Sequence, residues 1–155
     1  MVIQRWQSVF LLIAVVLMGL FSFLSLGQIQ TPEFTINFTA LGLSQEGIST
    51  GGPAFENIST WYLFAVSLLS AILPLIAIFS FKNFKLQKSL CLLSELAIVC
   101  VIIASAILGY QTIDGSQISW SSIVCAPFIS LISVAMAYQR ICADQRLIRD
   151  SERLR

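Results

Sequence analysis

The sequence predicts an all-α membrane protein, a single domain of four transmembrane helices in an up-down bundle with a small extended, β-like cap outside the cytoplasm. Two observations predict this class. Of the 155 residues, 57% are hydrophobic and only 11% are charged, far from the balance of a soluble domain. The apolar residues are gathered into four separate stretches, and the charged residues lie between and beyond them.

The four apolar stretches span residues 8–26, 61–80, 89–110 and 120–138. A helix needs roughly 20 residues to cross a hydrocarbon layer about 30 Å thick, so each stretch is long enough. A continuous apolar run in lipid satisfies its backbone hydrogen bonds as a helix. Residues 24–28 carry no small-x-small cleavage pattern, so we predict that the first helix is retained and is not a signal peptide.

Basic residues predict the orientation of these helices. All nine lie before the first stretch, between the second and third, or after the fourth, whereas the other two connections contain acids and no base. The positive-inside rule then predicts that both termini are cytoplasmic. The basic residues are Arg5, Lys82, Lys85, Lys88, Arg140, Arg146, Arg149, Arg153 and Arg155.

The outer loop, residues 27–60, is too long for a plain turn. Apolar and polar residues alternate from Phe34 to Ala40, which is typical of a half-buried strand. We therefore expect an extended cap on the outer end of the bundle. Glycines at 47, 51 and 52 then predict an irregular return to the second helix.

Composition also bears on function. The chain has no histidine, which removes the commonest metal ligand and the usual near-neutral general base. Its net charge of +1 gives no basis for nucleic-acid binding. Cys91, Cys100, Cys125 and Cys142 match neither a redox motif nor a metal knuckle. We predict no catalytic residue, no cofactor and no metal.

The two ends of the chain resemble those of a known family. The start, Met-Val-Ile-Gln-Arg-Trp-Gln at residues 1–7, and the close, Asp-Gln-Arg-Leu-Ile-Arg-Asp-Ser-Glu-Arg-Leu-Arg at residues 144–155, are similar to those of the four-helix Bacteroidetes membrane proteins grouped as domain of unknown function 4293. Val2, Ile148 and Glu152 depart conservatively from that pattern. The resemblance covers the whole chain and implies a bacterial inner-membrane location, with no established activity to transfer.

Glu95 is the one ionisable residue well inside a predicted span. Counting inward from the cytoplasmic ends of the other spans places Ala14, Pro74 and Ser133 at a similar level, which predicts a polar site of Glu95, Pro74 and Ser133. Intramembrane carboxyls are costly and usually face the bundle interior, so one hypothesis is a proton or cation site. The other hypothesis is that Glu95 reaches toward Lys85 or Lys88 at the inner face.

The tail, residues 139–155, carries five arginines and a narrow apolar stripe. One hypothesis is that the helix continues out of the membrane and docks a cytoplasmic protein or anionic lipid. The other is a solvated segment whose arginines only fix the topology. The candidate contact residues are Arg146, Arg149, Arg153 and Arg155.

Three classes of function follow in order of preference. The first is a non-enzymatic structural or interaction subunit of a membrane assembly, in contact with the lipid bilayer and with a membrane or cytoplasmic protein. The second is a small transporter or channel component in which Glu95 is the proton or cation site. The third is a membrane thiol enzyme. The sequence leaves substrate, partner and oligomeric state open.

Overall fold

The computed structural model describes residues 3–30, 35–46, 60–80, 83–112 and 117–153. Within them lie four long helices, α1 (Ile3–Phe23), α2 (Trp61–Phe79), α3 (Phe84–Thr112) and α4 (Ala126–Arg153), the last preceded by a short 3-10 turn at Ser122–Cys125. Each helix includes a segment long and apolar enough to cross a membrane. The predicted class, an all-α membrane protein with four spanning helices, is confirmed.

The helices pack as a ring in which α1 contacts α2 and α4, and α3 contacts α2 and α4. The end of the ring at which α1 begins and α4 ends is called here the terminal end. The opposite end, where α1 ends and α2 begins, is called the sheet end. This arrangement is the up-down bundle that the four apolar stretches predict.

The distribution of side chains in the bundle is that of a protein in lipid. Many of the buried positions are alanines and serines, whereas large apolar side chains cover much of the outer surface. Lipid chains solvate such a surface, and small interior residues let the helix backbones approach closely. The outward-facing side chains include Leu12, Leu69, Leu93, Leu96, Ile103 and Ile132, and the interior ones include Ala14, Ser67, Ala77, Ser94, Ser130 and Ala137.

A four-stranded antiparallel sheet stands on the sheet end of the bundle. Its strands are β1 (Ser25–Gln30), β2 (Thr35–Thr39), β3 (Gly42–Glu46) and β4 (Gln117–Trp120), in the order β3-β2-β1-β4. The predicted β-like cap is therefore present, and β2 lies within the alternating segment. The other three strands were not predicted, because their residues are mostly polar and their pairing is set by distant parts of the chain.

The sheet continues directly from two neighbouring helices. Only Leu24 separates α1 from β1, and Ser121 separates β4 from the turn that begins α4. Because α1 and α4 pack together, β1 and β4 leave the bundle side by side and pair, with Gly27 opposite Trp120. The Ser121 N–H also donates to the Leu26 carbonyl at 3.0 Å. The sheet is therefore held by α1 and α4, two of the four membrane-spanning helices.

Thr60 fastens the β2–β3 hairpin to the bundle. This residue immediately precedes α2 and is almost fully buried. Its hydroxyl donates to the carbonyl of Ala40 at 3.0 Å, in the turn between the two strands. A buried hydroxyl with such a partner is satisfied, so the contact stabilises the joint between hairpin and helix.

Three element boundaries differ from the predicted ones. α1 begins at Ile3 and ends at Phe23 instead of covering 8–26, α3 covers 84–112 instead of 89–110, and α4 covers 126–153 instead of 120–138. Hydropathy locates only the segment that lies in hydrocarbon, so it misses the polar flanks into which α1, α3 and α4 extend. α1 ends and α4 begins inside the predicted stretches, because β1 follows α1 and because β4 and the 3-10 turn precede α4. The predicted tail from residue 139 is accordingly part of α4 up to Arg153, and the predicted loop at 27–60 contains most of the sheet.

Candidate functional site

Two polar contacts tie α4 to its neighbours at the terminal end. The Gln7 side-chain amide on α1 donates to the Asp144 carboxylate on α4, and both side chains are buried. The Lys88 ammonium on α3 donates to the side-chain carbonyl of Gln145, also on α4. Adjacent residues on α4 thus face different helices, Asp144 toward α1 and Gln145 toward α3.

The second contact fixes how α3 and α4 lie against each other. The helices are antiparallel, so Lys88 opposite Gln145 places Cys91 opposite Cys142 and Glu95 opposite Tyr138. Side-chain interactions agree with this register. Cys91 lies within electrostatic range of Glu95 and Cys142, and Tyr138 lies within electrostatic range of Cys142 and Glu95.

These residues form what is called here the polar seam between α3 and α4. On α3 they recur at intervals of three and four residues, and the same intervals recur in reverse on α4. That spacing keeps them on one face of each helix. The polar seam consists of Lys88, Cys91 and Glu95 on α3 and Tyr138, Cys142 and Gln145 on α4.

Glu95 lies in the polar seam, half-buried, seven residues or about 10.5 Å along α3 from Lys88. The structure places Tyr138 beside it, whereas Ser133 lies five residues further along α4, a rise of about 7.5 Å. The Ser133 hydroxyl donates to the carbonyl of Ile129 in its own helix, at 2.9 Å. Ser133 thus lies deeper along α4 than the residue opposite Glu95, because α4 continues well beyond residue 138.

Pro74 and Ala14 are both buried. The contact of Gln7 with Asp144 aligns α1 with α4, and the Ser22 and Ser67 hydroxyls, 2.9 Å apart, align α1 with α2. Together with the α3–α4 register, these contacts place Ala14 and Pro74 near the level of Glu95. No hydrogen bond among the described residues joins Pro74 or Ser133 to Glu95, so the predicted polar site of these three residues stays a prediction.

The buried serines mostly satisfy their hydroxyls within their own helices. Ser70 donates to the Ser67 carbonyl at 2.7 Å, Ser94 to that of Cys91 at 2.8 Å, and Ser130 to that of Pro127 at 2.8 Å. Hydroxyls used in this way stabilise a polar side chain in an apolar interior. These contacts support a structural role for the serines rather than a continuous polar path.

Sequence reasoning missed Gln7, Tyr138, Cys142 and Gln145 as members of these contacts. A signal was present, because residues 88, 91 and 95 and residues 138, 142 and 145 each follow heptad spacing. The partners lie about 50 residues apart in the chain, however, so only the packing of α3 on α4 shows which positions face each other. Sequence reasoning also did not single out Asp144, which is buried against α1.

Comparison with known families gives one match. A family model described as Domain of unknown function (DUF4293) matches residues 3–154. The chain belongs to this family. No curated protein matches it.

The DUF4293 match spans all four helices, the sheet and every residue of the polar seam. Because the domain is uncharacterised, the match carries no activity to these residues. Function must therefore be argued from the geometry of the DUF4293 fold itself.

In the described part of this DUF4293 chain, no group of three or more Cys, Asp or Glu side chains is arranged to hold a metal ion. The four cysteines are free thiols: Cys91 is buried, Cys142 is half-buried, and Cys100 and Cys125 are exposed. Cys91 and Cys142 lie opposite each other across the polar seam.

The tail arginines are placed only in part. Arg146 is exposed near the end of α4. Arg149 and Arg153 belong to the same helix, and their side chains lie outside the described part, as does Arg155 altogether. The docking role predicted for these arginines stays a prediction.

Proposed function

We propose that this protein is a non-enzymatic structural or interaction subunit of a membrane assembly. The observation that carries the proposal is the continuity of β1 with α1 and of β4 with α4, which builds a folded surface on the membrane bundle. Buried polar groups support it as well, since Gln7 with Asp144 and Ser22 with Ser67 join helices to one another. A bundle held in this way supplies a firm base for contact surfaces beyond the membrane.

We infer a bacterial inner-membrane protein with both termini in the cytoplasm and the sheet on the opposite side. Support comes from the nine basic residues, all of which belong to segments at or leading to the terminal end. Reporter domains fused after residue 45 and after residue 155 test the orientation. We expect them to report opposite compartments, and the same compartment for both would overturn it.

Photo-crosslinking in intact membranes tests the interaction role. A photoreactive amino acid replaces an exposed residue of the sheet region, Leu41 in the β2–β3 turn or Ser119 in β4, or Arg149 in the tail. The matched control is Leu96, which is exposed on the lipid-facing surface of α3. We expect a discrete protein adduct from at least one sheet or tail position and none from Leu96.

Affinity purification in mild detergent provides the independent measurement. We expect the full chain to elute with a stoichiometric companion of the same mass as the crosslinked protein. A chain that elutes alone, and whose sheet and tail positions crosslink no better than Leu96, would contradict the interaction role.

A second candidate, a small transporter or channel component, is favoured by the polar seam. Glu95, Tyr138, Cys142 and Cys91 place four ionisable groups together at the α3–α4 interface. Intramembrane ionisable groups that face other helices often mark proton or cation pathways. Flux into liposomes containing the full chain would support this candidate if Glu95→Gln abolished it while Ser105→Ala did not, and absence of flux would exclude it.

A further inference from the structure

Three basic side chains, Lys85, Lys88 and Arg146, lie close together at the terminal end, and Lys88 is the one that contacts Gln145. Lys85 precedes Lys88 by three residues and therefore lies one turn away on a similar face of α3. Arg146 follows Gln145 and lies about 100° further round α4, away from Asp144 and the α1 side. Lys85 and Arg146 are exposed, and Lys88 is half-buried. The outer rim of the α3–α4 groove is thus lined by cations.

The charges of these three residues are not balanced by the acidic side chains described nearby. Asp144 is directed toward Gln7 on α1 and interacts with the Arg140 cation on its own helix. Glu95 lies about 10.5 Å along α3 from Lys88. The α3 N-terminus, at Phe84, adds to the positive potential because the helix dipole is positive there. The rim is therefore complementary to an anion.

An apolar strip continues from this rim toward the middle of the bundle. Leu92 and Leu96 follow Lys85 at intervals of seven and eleven residues, which places them on the same side of α3. Both are exposed. An anionic headgroup site with an apolar strip beside it has the chemistry of a glycerophospholipid at the membrane interface.

We propose that Lys85, Lys88 and Arg146 bind the phosphate-bearing headgroup of one anionic phospholipid, whose acyl chain lies along Leu92 and Leu96. This site is independent of the proposed interaction role, since it needs no protein partner. It also differs from a general attraction of basic residues to the membrane, because it excludes Arg140, an exposed arginine on the same helix whose charge is offset by Asp144.

Native mass spectrometry of the purified full chain tests the site. Phosphatidylglycerol and phosphatidylcholine with identical acyl chains are titrated in the same detergent, so that only the headgroup differs. We expect one phosphatidylglycerol to bind preferentially. We expect the double variant Lys85→Gln/Arg146→Gln to bind phosphatidylglycerol about 25-fold more weakly. Each cation removed near the membrane surface lowers the affinity about fivefold, and two are removed.

Two further variants separate a site from bulk charge. Arg140→Gln removes a cation from the other side of α4 and is expected to leave the phosphatidylglycerol affinity unchanged. Lys85→Arg/Arg146→Lys keeps both charges and is expected to retain the preference. The glutamine variant is expected to keep the helical circular dichroism of the unaltered chain, so that its loss of binding is assigned to the missing charges. Equal affinity for the two lipids, or an equal loss in Arg140→Gln, would overturn the proposal.

Discussion

The contact between Gln7 and Asp144 offers a direct measurement of what holds α1 to α4. Both side chains are buried, with 3% and 9% of their surfaces exposed. Replacing either one with leucine removes the hydrogen bond and leaves the other polar group in the interior without that partner. The test is a cycle of Gln7→Leu, Asp144→Leu and the double variant.

The expected size of the effect follows from the groups involved. A hydrogen bond to a charged group contributes about 1.5–3 kcal/mol in water-soluble proteins, whereas interhelical hydrogen bonds in lipid average about 0.6 and reach about 1.7 kcal/mol. Because Asp144 lies at the terminal end rather than at mid-membrane, we expect a coupling free energy of about 1.5 kcal/mol. The costs of the two single variants should therefore add up to about 1.5 kcal/mol more than the cost of the double variant.

Reversible unfolding of the purified chain in mixed micelles, followed by circular dichroism, measures each free energy of unfolding. Asp144→Asn serves as the matched control, since its side-chain carbonyl still accepts from the Gln7 amide and most of the coupling should remain. Strictly additive single effects would refute the reasoning, because they would mean that the two side chains do not depend on each other.

Three further predictions concern the sheet and the helix interface. Gly27→Ala should destabilise the β1–β4 pair by about 1–2 kcal/mol, because an added Cβ would lie 3.2 Å from the Ser119 carbonyl oxygen. Faster amide exchange in both strands would show this loss, and unchanged exchange would contradict the close approach. Ser67→Ala should lower the free energy of unfolding by about 0.6 kcal/mol, because it breaks the contact with Ser22. Ser105→Ala should cost less, because the Ser105 hydroxyl donates to a carbonyl of its own helix. Equal costs would argue against the interhelical bond. Thr60→Val should cost about 1 kcal/mol and accelerate amide exchange around Ala40, whereas Thr60→Ser, which keeps the hydroxyl, should do neither. Exchange that stays slow in Thr60→Val would show that the hydroxyl does not hold the hairpin.

The helices could be predicted because lipid imposes a simple requirement on sequence. A segment of about 20 apolar residues must satisfy its own backbone, and Trp61–Phe79 meets that condition with almost no alternative. The alternation around Phe38 predicted the cap for a comparable reason, since the Phe38 side chain of β2 is buried in the same apolar core as the helices. In both cases a local sequence pattern shows whether the segment faces lipid, water or the protein interior.

The rest of the sheet could not be predicted, because its pairing depends on where α1 and α4 meet. Ser25–Gln30 contains a glycine and three polar residues and shows little strand pattern, yet it pairs with Gln117–Trp120 almost 90 residues away. The two strands are neighbours because the helices that carry them are neighbours. Strand formation here is a consequence of helix packing and is not visible in either segment alone.

Helix register is the remaining feature that sequence reasoning could not predict, and it determines which residues lie beside Glu95. Apolar side chains are solvated by lipid as well as by one another, so burial of leucine selects weakly among the ways in which α3 and α4 could slide. Specific polar contacts select strongly, since an unpaired amide or ammonium in the interior is costly. Lys88 with Gln145 and Gln7 with Asp144 can form only in one register, and that register places Glu95 beside Tyr138 instead of Ser133. In this bundle the few polar side chains at the terminal end therefore determine which residues meet at mid-membrane.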